Sequence, residues 1–266
     1  MPGLAAYIDG IGLLGPGLPN WTVGEAVLSG NAPYVEQLAQ LPAAATLPAA
    51  ERRRVGRVVK LALAIGYQAA AAAGQDPSRL ATVFTASAAD GDICHEICQM
   101  LATSDRRISP TRFHNSVHNA PAGYWSIATG AKAPSTSLCA FDGSFCAGLL
   151  EALCQVLVAR EPVLLIAYDT CYPEPLHRTR PIADAFGIAL LLSTERGEPT
   201  LGRVDAELTA DAADVMADPP LESLRMGYPA ARGLPLLMAL ARGQARRQVL
   251  DYLDDRRLAV TTTPCR

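Results

Sequence analysis

The stretch PSTSLCAFDGSFCAGLLEAL, residues 134–153, decides how the rest of the chain is read. It has the form of a short strand, residues 135–141, that breaks at a small residue and runs directly into a helix, residues 143–159. Between them, Ala140-Phe141-Asp142-Gly143-Ser144 places small residues two before and two after Asp142, the steric pattern of a nucleophile elbow. Many enzymes mount a nucleophile at such a corner, because the side chain leaves the sheet and faces the positive end of the helix. Here the corner residue is Asp142, flanked by Cys139 and Cys146.

Outward from this turn, strands and helices alternate. Residues 5–13, 80–87 and 162–168 are apolar strands, the last of the kind buried in a parallel sheet. Thr22 and Glu25 form a capping box for a helix over 23–28. Helices are expected over 48–74, 91–103, 116–129 and 235–250, with a loop over 106–112. Residues 186–194 and 200–208 have the pattern of a hairpin around Arg196-Gly197-Glu198-Pro199, and a last strand falls near 258–263. This alternation, without an internal repeat, specifies an α/β layered fold.

The chain has 266 residues, half of them hydrophobic, enough for one large core. One domain over 1–266 is expected, with its core at about 5–208 and a helix-and-strand extension over 209–266. A net charge of -3, with scattered Lys and Arg, gives no reason to invoke nucleic acid. The start MPGLAAYIDGIGLL lacks a basic segment before an apolar one, and no apolar run is counted at the roughly 18 residues of a membrane span. Seven cysteines, an odd number, fit a reduced, cytoplasmic setting. Cys94, Cys98 and Cys154 fall in apolar helical patterns and are expected in the core.

Several motifs fail as sites. Gly10-Ile11-Gly12-Leu13-Leu14-Gly15 matches a dinucleotide fingerprint, but Pro16-Gly17-Leu18-Pro19 blocks the helix that would hold the pyrophosphate. No cofactor follows from it. Cys94-His95-Glu96-Ile97-Cys98 supplies three plausible ligands and no second cluster; His114 and His118 lack a third ligand nearby, so no metal is expected. An aspartate hydrolase would need a histidine downstream of Asp142, and only His177 lies there, in a loop rich in Pro and Arg.

Asn119-Ala120-Pro121-Ala122-Gly123, the strand over 134–141, its turn and the following helix together resemble the N-terminal half of β-ketoacyl synthases, the thiolase-like condensing enzymes. Ile8-Asp9-Gly10-Ile11-Gly12 with Pro16 is similar to that family's first strand and turn, and residues 61–77 to its Ala-rich helix and Gly-x-Asp-Pro turn. The resemblance covers most of residues 5–208. It implies a thiolase-like layered α/β half-fold with a mixed central sheet, a truncated ketosynthase.

Aligned without a gap, the family's nucleophilic cysteine falls on Asp142, and the resemblance supplies neither of the histidines that drive decarboxylation. What it implies is therefore a noncatalytic chain-length factor, similar to those of aryl polyene pathways. Such a subunit pairs with a full-length ketosynthase acting on substrates carried by acyl carrier protein. The implied pairing surface is Asn119, Ser135, Thr136, Ser137, Leu138, Cys139, Ala140 and Phe141. Thr111, Arg112, Phe113 and His114 fall where one subunit walls off its partner's acyl tunnel. The alternatives are a homodimeric scaffold and a free-standing acyltransferase or thioesterase that uses Cys139.

Overall fold

The computed structural model describes residues 3–265; residues 1, 2 and 266 of the expected unit lie outside that range. In chain order its elements are β1 (Leu4–Leu14), α1 (Trp21–Ser29), α2 (Ala49–Arg52), α3 (Arg57–Ala72), β2 (Ala81–Thr85), α4 (Gly91–Leu101) and α5 (Pro110–Asn115). There follow α6 (Ala120–Thr129), β3 (Ser135–Leu138), α7 (Ser144–Ala159), β4 (Val163–Asp169), α8 (Leu176–Thr179), β5 (Phe186–Ser193) and β6 (Gly202–Thr209). The chain closes with α9 (Pro219–Gly227), α10 (Leu234–Ala241), β7 (Arg246–Leu250) and β8 (Arg257–Pro264). All eight strands form one mixed sheet in the order β3-β2-β4-β5-β1-β6-β8-β7.

β4 shows why the sheet takes helices on both faces. Every one of its residues is buried. Val163, Leu165 and Ala167 pack into the cluster that holds α7 and α10, whereas Leu164, Ile166 and Tyr168 pack into the one that holds α3 and α6. With both faces covered, the strand is a continuous apolar run, and each fully buried Leu or Ile contributes on the order of 2 kcal/mol.

The glycines of β1 serve the same packing. A Cβ on Gly10 would lie 2.2 Å from the Ala69 carbonyl oxygen, and one on Gly12 only 1.9 Å from that of Ile65. Helix α3 thus rests directly on the strand backbone, which accounts for the dinucleotide-like spacing without a nucleotide.

Several elements differ from the sequence reading. Strands β5 and β6 are not a hairpin, because β1 lies between them and pairs antiparallel with both. Helix α1 is capped by Asn20, whose side chain accepts from the Val23 N–H, so the Thr22 and Glu25 box is not formed. The helix expected over 48–74 breaks after α2, where Arg52 donates to the Ala45 and Leu47 carbonyls, and restarts at Arg57 after an extended Gly56. The helix expected over 235–250 stops at Ala241. Gly243, at φ 58°, turns the chain, and residues 246–250 become β7 because β8 offers them a partner.

The segment after residue 208 supplies two strands of the sheet and the helices α9 and α10. The loop over 106–112 already starts α5 at Pro110, and the helix expected from 116 begins at Ala120. Cys94, Cys98 and Cys154 are exposed rather than in the core: they fall on the solvent sides of α4 and α7. Residues Phe141–Ala159 do reach the length and hydropathy of a membrane span. Half of that stretch is buried inside the protein, where α7 packs on β1, β2 and β4.

Candidate functional site

The corner is assembled at the end of β3, the outermost strand, which pairs only with β2. Ser144 holds it from inside. Its hydroxyl accepts from the Ala140 N–H at 3.1 Å and lies 2.7 Å from the Phe141 carbonyl and 3.1 Å from that of Ala86. Thr85 Oγ1 donates to the Ser144 carbonyl at 2.7 Å. Gly143 leaves no room for a side chain, since a Cβ there would lie 2.5 Å from the Tyr252 carbonyl oxygen.

The sharp bend falls on Phe141, not on Asp142. Phe141 has φ 51°, a left-handed conformation that costs a non-glycine residue about 1–2 kcal/mol, and Phe141–Gly143 form a single 3-10 turn. Its ring is 61% exposed. The Arg180 guanidinium lies over that ring, 3.7 Å from Cζ to the centroid, and Arg180 Nη2 donates to Asp142 Oδ1 at 2.6 Å. Asp142 is half exposed, so the ion pair contributes well under 1 kcal/mol, and the stacked guanidinium about 0.5–1 kcal/mol. Together they are of the size needed to offset the strain at Phe141. The hydrogen bond found for Asp142 thus goes to Arg180, although the carboxylate also stands at the start of α7.

The two cysteines both donate to backbone carbonyls. Cys139 donates to the Ser87 carbonyl oxygen at 3.1 Å. Cys146 is buried, donates to the Asp251 carbonyl, and is pushed well up by burial and by Asp251. Neither arrangement generates a nucleophile. His177 places Nδ1 at 3.3 Å from the Ile182 carbonyl, holding the loop that carries Arg180.

Beneath the corner lies a polar network that sequence reasoning missed. Asp169, at the end of β4, accepts from the Ser87 N–H at 3.0 Å, the Ser87 hydroxyl at 2.5 Å and the Ala230 N–H at 2.8 Å. The Tyr172 hydroxyl lies 3.0 Å from Ser87 Oγ. Burial pushes the Asp169 carboxyl up to about 6, against the lowering effect of the hydrogen bonds from Ser87 and Ala230. The available signal was the single carboxylate closing the apolar run VLLIAYD.

Thr111, Arg112, Phe113 and His114 occupy α5 and are all exposed. Phe113 is 64% exposed, which removes the possibility that it is ordinary core. With His114, Val117, Tyr124 and Ile127 it lines an open cleft of about 500 Å³, which Asn119 also borders. Arg112 turns away to pair with Glu96 at 2.5 Å. Tyr124 and Asn115 fix the floor, since Tyr124 donates to Asn115 Oδ1 and Asn115 donates to the Arg54 carbonyl. Trp125 is core, packed between Tyr67 and Phe84. Among the described residues, no three His, Cys, Asp or Glu side chains gather as metal ligands would.

Comparison with known proteins places this geometry. The family "Beta-ketoacyl synthase, N-terminal domain" matches residues 28–244. No curated protein matches the sequence. Among solved structures, a chain of the complex of the ketosynthase ApeO with its chain length factor ApeC from Xenorhabdus doucetiae superposes with a TM-score of 0.73 at 23% identity. The match covers 97% of this chain and 99% of that one. A chain of the ishigamide ketosynthase/chain length factor gives 0.75 at 13% identity, over 98% of this chain and 99% of that one. A β-ketoacyl synthase from Burkholderia phymatum STM815 gives 0.59 at 15% identity, over 92% of this chain and 71% of that one. The fold is the thiolase-like one of the ketosynthases, and the chain belongs to the β-ketoacyl synthase family by its N-terminal domain.

Proposed function

We propose that the chain is a noncatalytic chain-length factor, a single ketosynthase-like unit that pairs with a full-length ketosynthase. In this reading the complex elongates acyl chains carried by acyl carrier protein in an aryl polyene-like pathway of the cytoplasm. The observation that carries it is the corner. The family's nucleophile would stand there, and the chain instead presents Phe141 and Asp142, closed over by Arg180. An acyl group transferred from a thioester to a carboxylate would form a mixed anhydride, uphill of its donor, whereas a cysteine gives an isoenergetic thioester. The Cys139 thiol, bonded to a carbonyl with no base supplied by that contact, disfavours a free-standing acyltransferase.

The pairing surface in this reading is the free edge of β3. Ser135, Thr136 and Ser137 carry small side chains, with Leu138, Cys139 and Ala140 after them, and no Lys or Pro interrupts the strand to discourage pairing. The α5 segment with Phe113 then faces the partner's acyl tunnel. Copurification with a ketosynthase encoded beside this chain tests the reading. The pair should elongate malonyl units on carrier protein, while this chain alone decarboxylates none. Turnover of malonyl carrier protein by the isolated chain would sink it.

A further inference from the structure

We infer that Arg180 and Asp142 act as a clamp that fixes the Phe141 ring as an anchor for the partner subunit. The inference rests on the pairing proposed above and adds a role to residues that a vacated catalytic corner would leave idle.

An aromatic ring that is 61% exposed and sits on left-handed backbone is unfavourable in the free chain twice over, through its hydration and through its conformation. The chain nevertheless holds it there with two separate contacts from one residue. Arg180 stacks on the ring at 3.7 Å and pairs with the neighbouring Asp142 at 2.6 Å. Arg180 is itself held. Its backbone N–H donates to the Leu176 carbonyl, its carbonyl accepts from the Ile182 N–H, and its side chain is only 16% exposed, with Nε buried and unpaired. The support is largely buried, while the Phe141 ring and the Asp142 carboxylate beside it stay exposed.

The place of the ring, just past the end of the outermost strand, names the occupant. Phe141 stands three residues past Leu138, at the end of the outermost strand, whose other edge is taken by β2. Helix α6 packs beside β3 and carries Ile127, half exposed, to the cleft lined by Phe113 and Val117, which are also exposed. Exposed apolar side chains thus flank the β3 edge, Phe113, Val117 and Ile127 on α5 and α6 before it in the chain and Phe141 just past its last residue. A partner that adds a strand to β3 meets the ring at the end of that strand. Ring and guanidinium are both planar and preordered, so little side-chain entropy is lost on docking, the usual property of an interface anchor. The occupant is the ketosynthase subunit, which must offer an apolar recess at that end of its own edge strand.

A double-mutant cycle on the affinity of the chain for its ketosynthase tests this, with the melting temperature of each free variant as the control for folding. Phe141→Ala should weaken pairing by tenfold or more. Arg180→Ala should weaken it several-fold while Phe141 is present, and hardly at all in the Phe141→Ala background, because a positioning residue then has nothing left to position. Arg180→Lys, which keeps the charge opposite Asp142 and loses the planar stack, should fall between. Equal losses for Arg180→Ala in both backgrounds, or unchanged affinity for a folded Phe141→Ala chain, would overturn the clamp and leave the pairing intact. Failure of the unaltered chain to bind a ketosynthase would overturn both, and pairing through Phe141 with a second copy of this chain would replace the occupant.

Discussion

The Ser87 hydroxyl donates to Asp169 Oδ1 across 2.5 Å, and with the Ser87 N–H it ties the chain after β2 to the end of β4. The bond is made inside the protein, between residues 82 apart in sequence. With the Ala230 N–H on Oδ2, the carboxylate joins three parts of the chain in space: the loop under the corner, the sheet, and the turn before α10.

Stability should therefore carry a pH signature from Asp169. Burial raises its folded-state value from 3.8 to about 6, so the native chain binds the proton more tightly than the unfolded one. The corresponding stability is fully present below about pH 4 and is lost as pH rises through 6, on the order of 3 kcal/mol. Asp169→Asn cannot ionise, and its amide also sets a donor against the Ser87 or the Ala230 N–H. We expect it to be less stable by about 1–3 kcal/mol at neutral pH, with a wider gap at pH 4. Urea midpoints of both proteins from pH 4 to 7 check this. A gap that widens as pH rises would contradict the sign.

Restoring a thiol at the corner should not restore catalysis. Phe141→Cys puts sulfur on the left-handed residue and Asp142→Cys puts it beside Arg180. In either case the new thiol can take an acyl group, but the contacts described at the corner include Arg180 and no histidine pair of the kind the family uses to drive decarboxylation and hold the enolate. The expected outcome is slow acylation, visible as a mass increase with an acyl thioester, and no condensation product from the isolated chain. A condensation product from either variant alone would require a general acid that the corner does not present.

Gly12→Ala should unfold the protein. The new Cβ would sit 1.9 Å from the Ile65 carbonyl oxygen, backbone against backbone, so either α3 lifts from β1 or the strand moves. Both Leu13 and Ile65 are fully buried around this contact, and overpacking of this kind costs several kcal/mol, above the ~1–3 kcal/mol of ordinary side-chain crowding. Gly123→Ala, with open space around its Cβ position, should be tolerated. Far-ultraviolet circular dichroism and soluble yield of the two variants separate them.

These cases show which parts of the molecule local sequence reports. Strands such as β4 and helices such as α7 were legible because burial on two faces, or on one, leaves a periodic apolar record in consecutive residues. The placement of β1 between β5 and β6 was not legible. The connection over 194–201 looks like a hairpin turn, and only the long-range pairing of Tyr7 with Ser193 on one side and Arg203 on the other shows otherwise. At the corner, the elbow pattern around Asp142 located the turn to within one residue. It could not show that the strain falls on Phe141, or that Arg180, 38 residues on from Asp142, closes it. Such side-chain partners leave no periodic mark, and the Asp169 network was invisible for the same reason.

The last prediction concerns Phe113 and the cleft of about 500 Å³ that it lines on α5. Because the ring is 64% exposed, truncation to alanine forfeits only the buried third of its surface, about 1 kcal/mol, rather than the roughly 3–5 kcal/mol of a buried phenylalanine. The melting temperature of Phe113→Ala should stay within a few degrees of the parent. In the complex the same change should act by volume. If Phe113 stands against the far end of the partner's acyl tunnel, removing its ring opens space that a close-packed wall had denied to a growing chain. Longer products should then appear, with condensation retained. Arg112→Ala should have the smaller effect, since that side chain is turned toward Glu96 on the surface. Mass spectrometry of the released acyl chains, set beside the melting curves, reads both quantities. A folded Phe113→Ala complex with an unchanged product distribution would take α5 out of the tunnel and leave its exposed ring to the pairing surface alone.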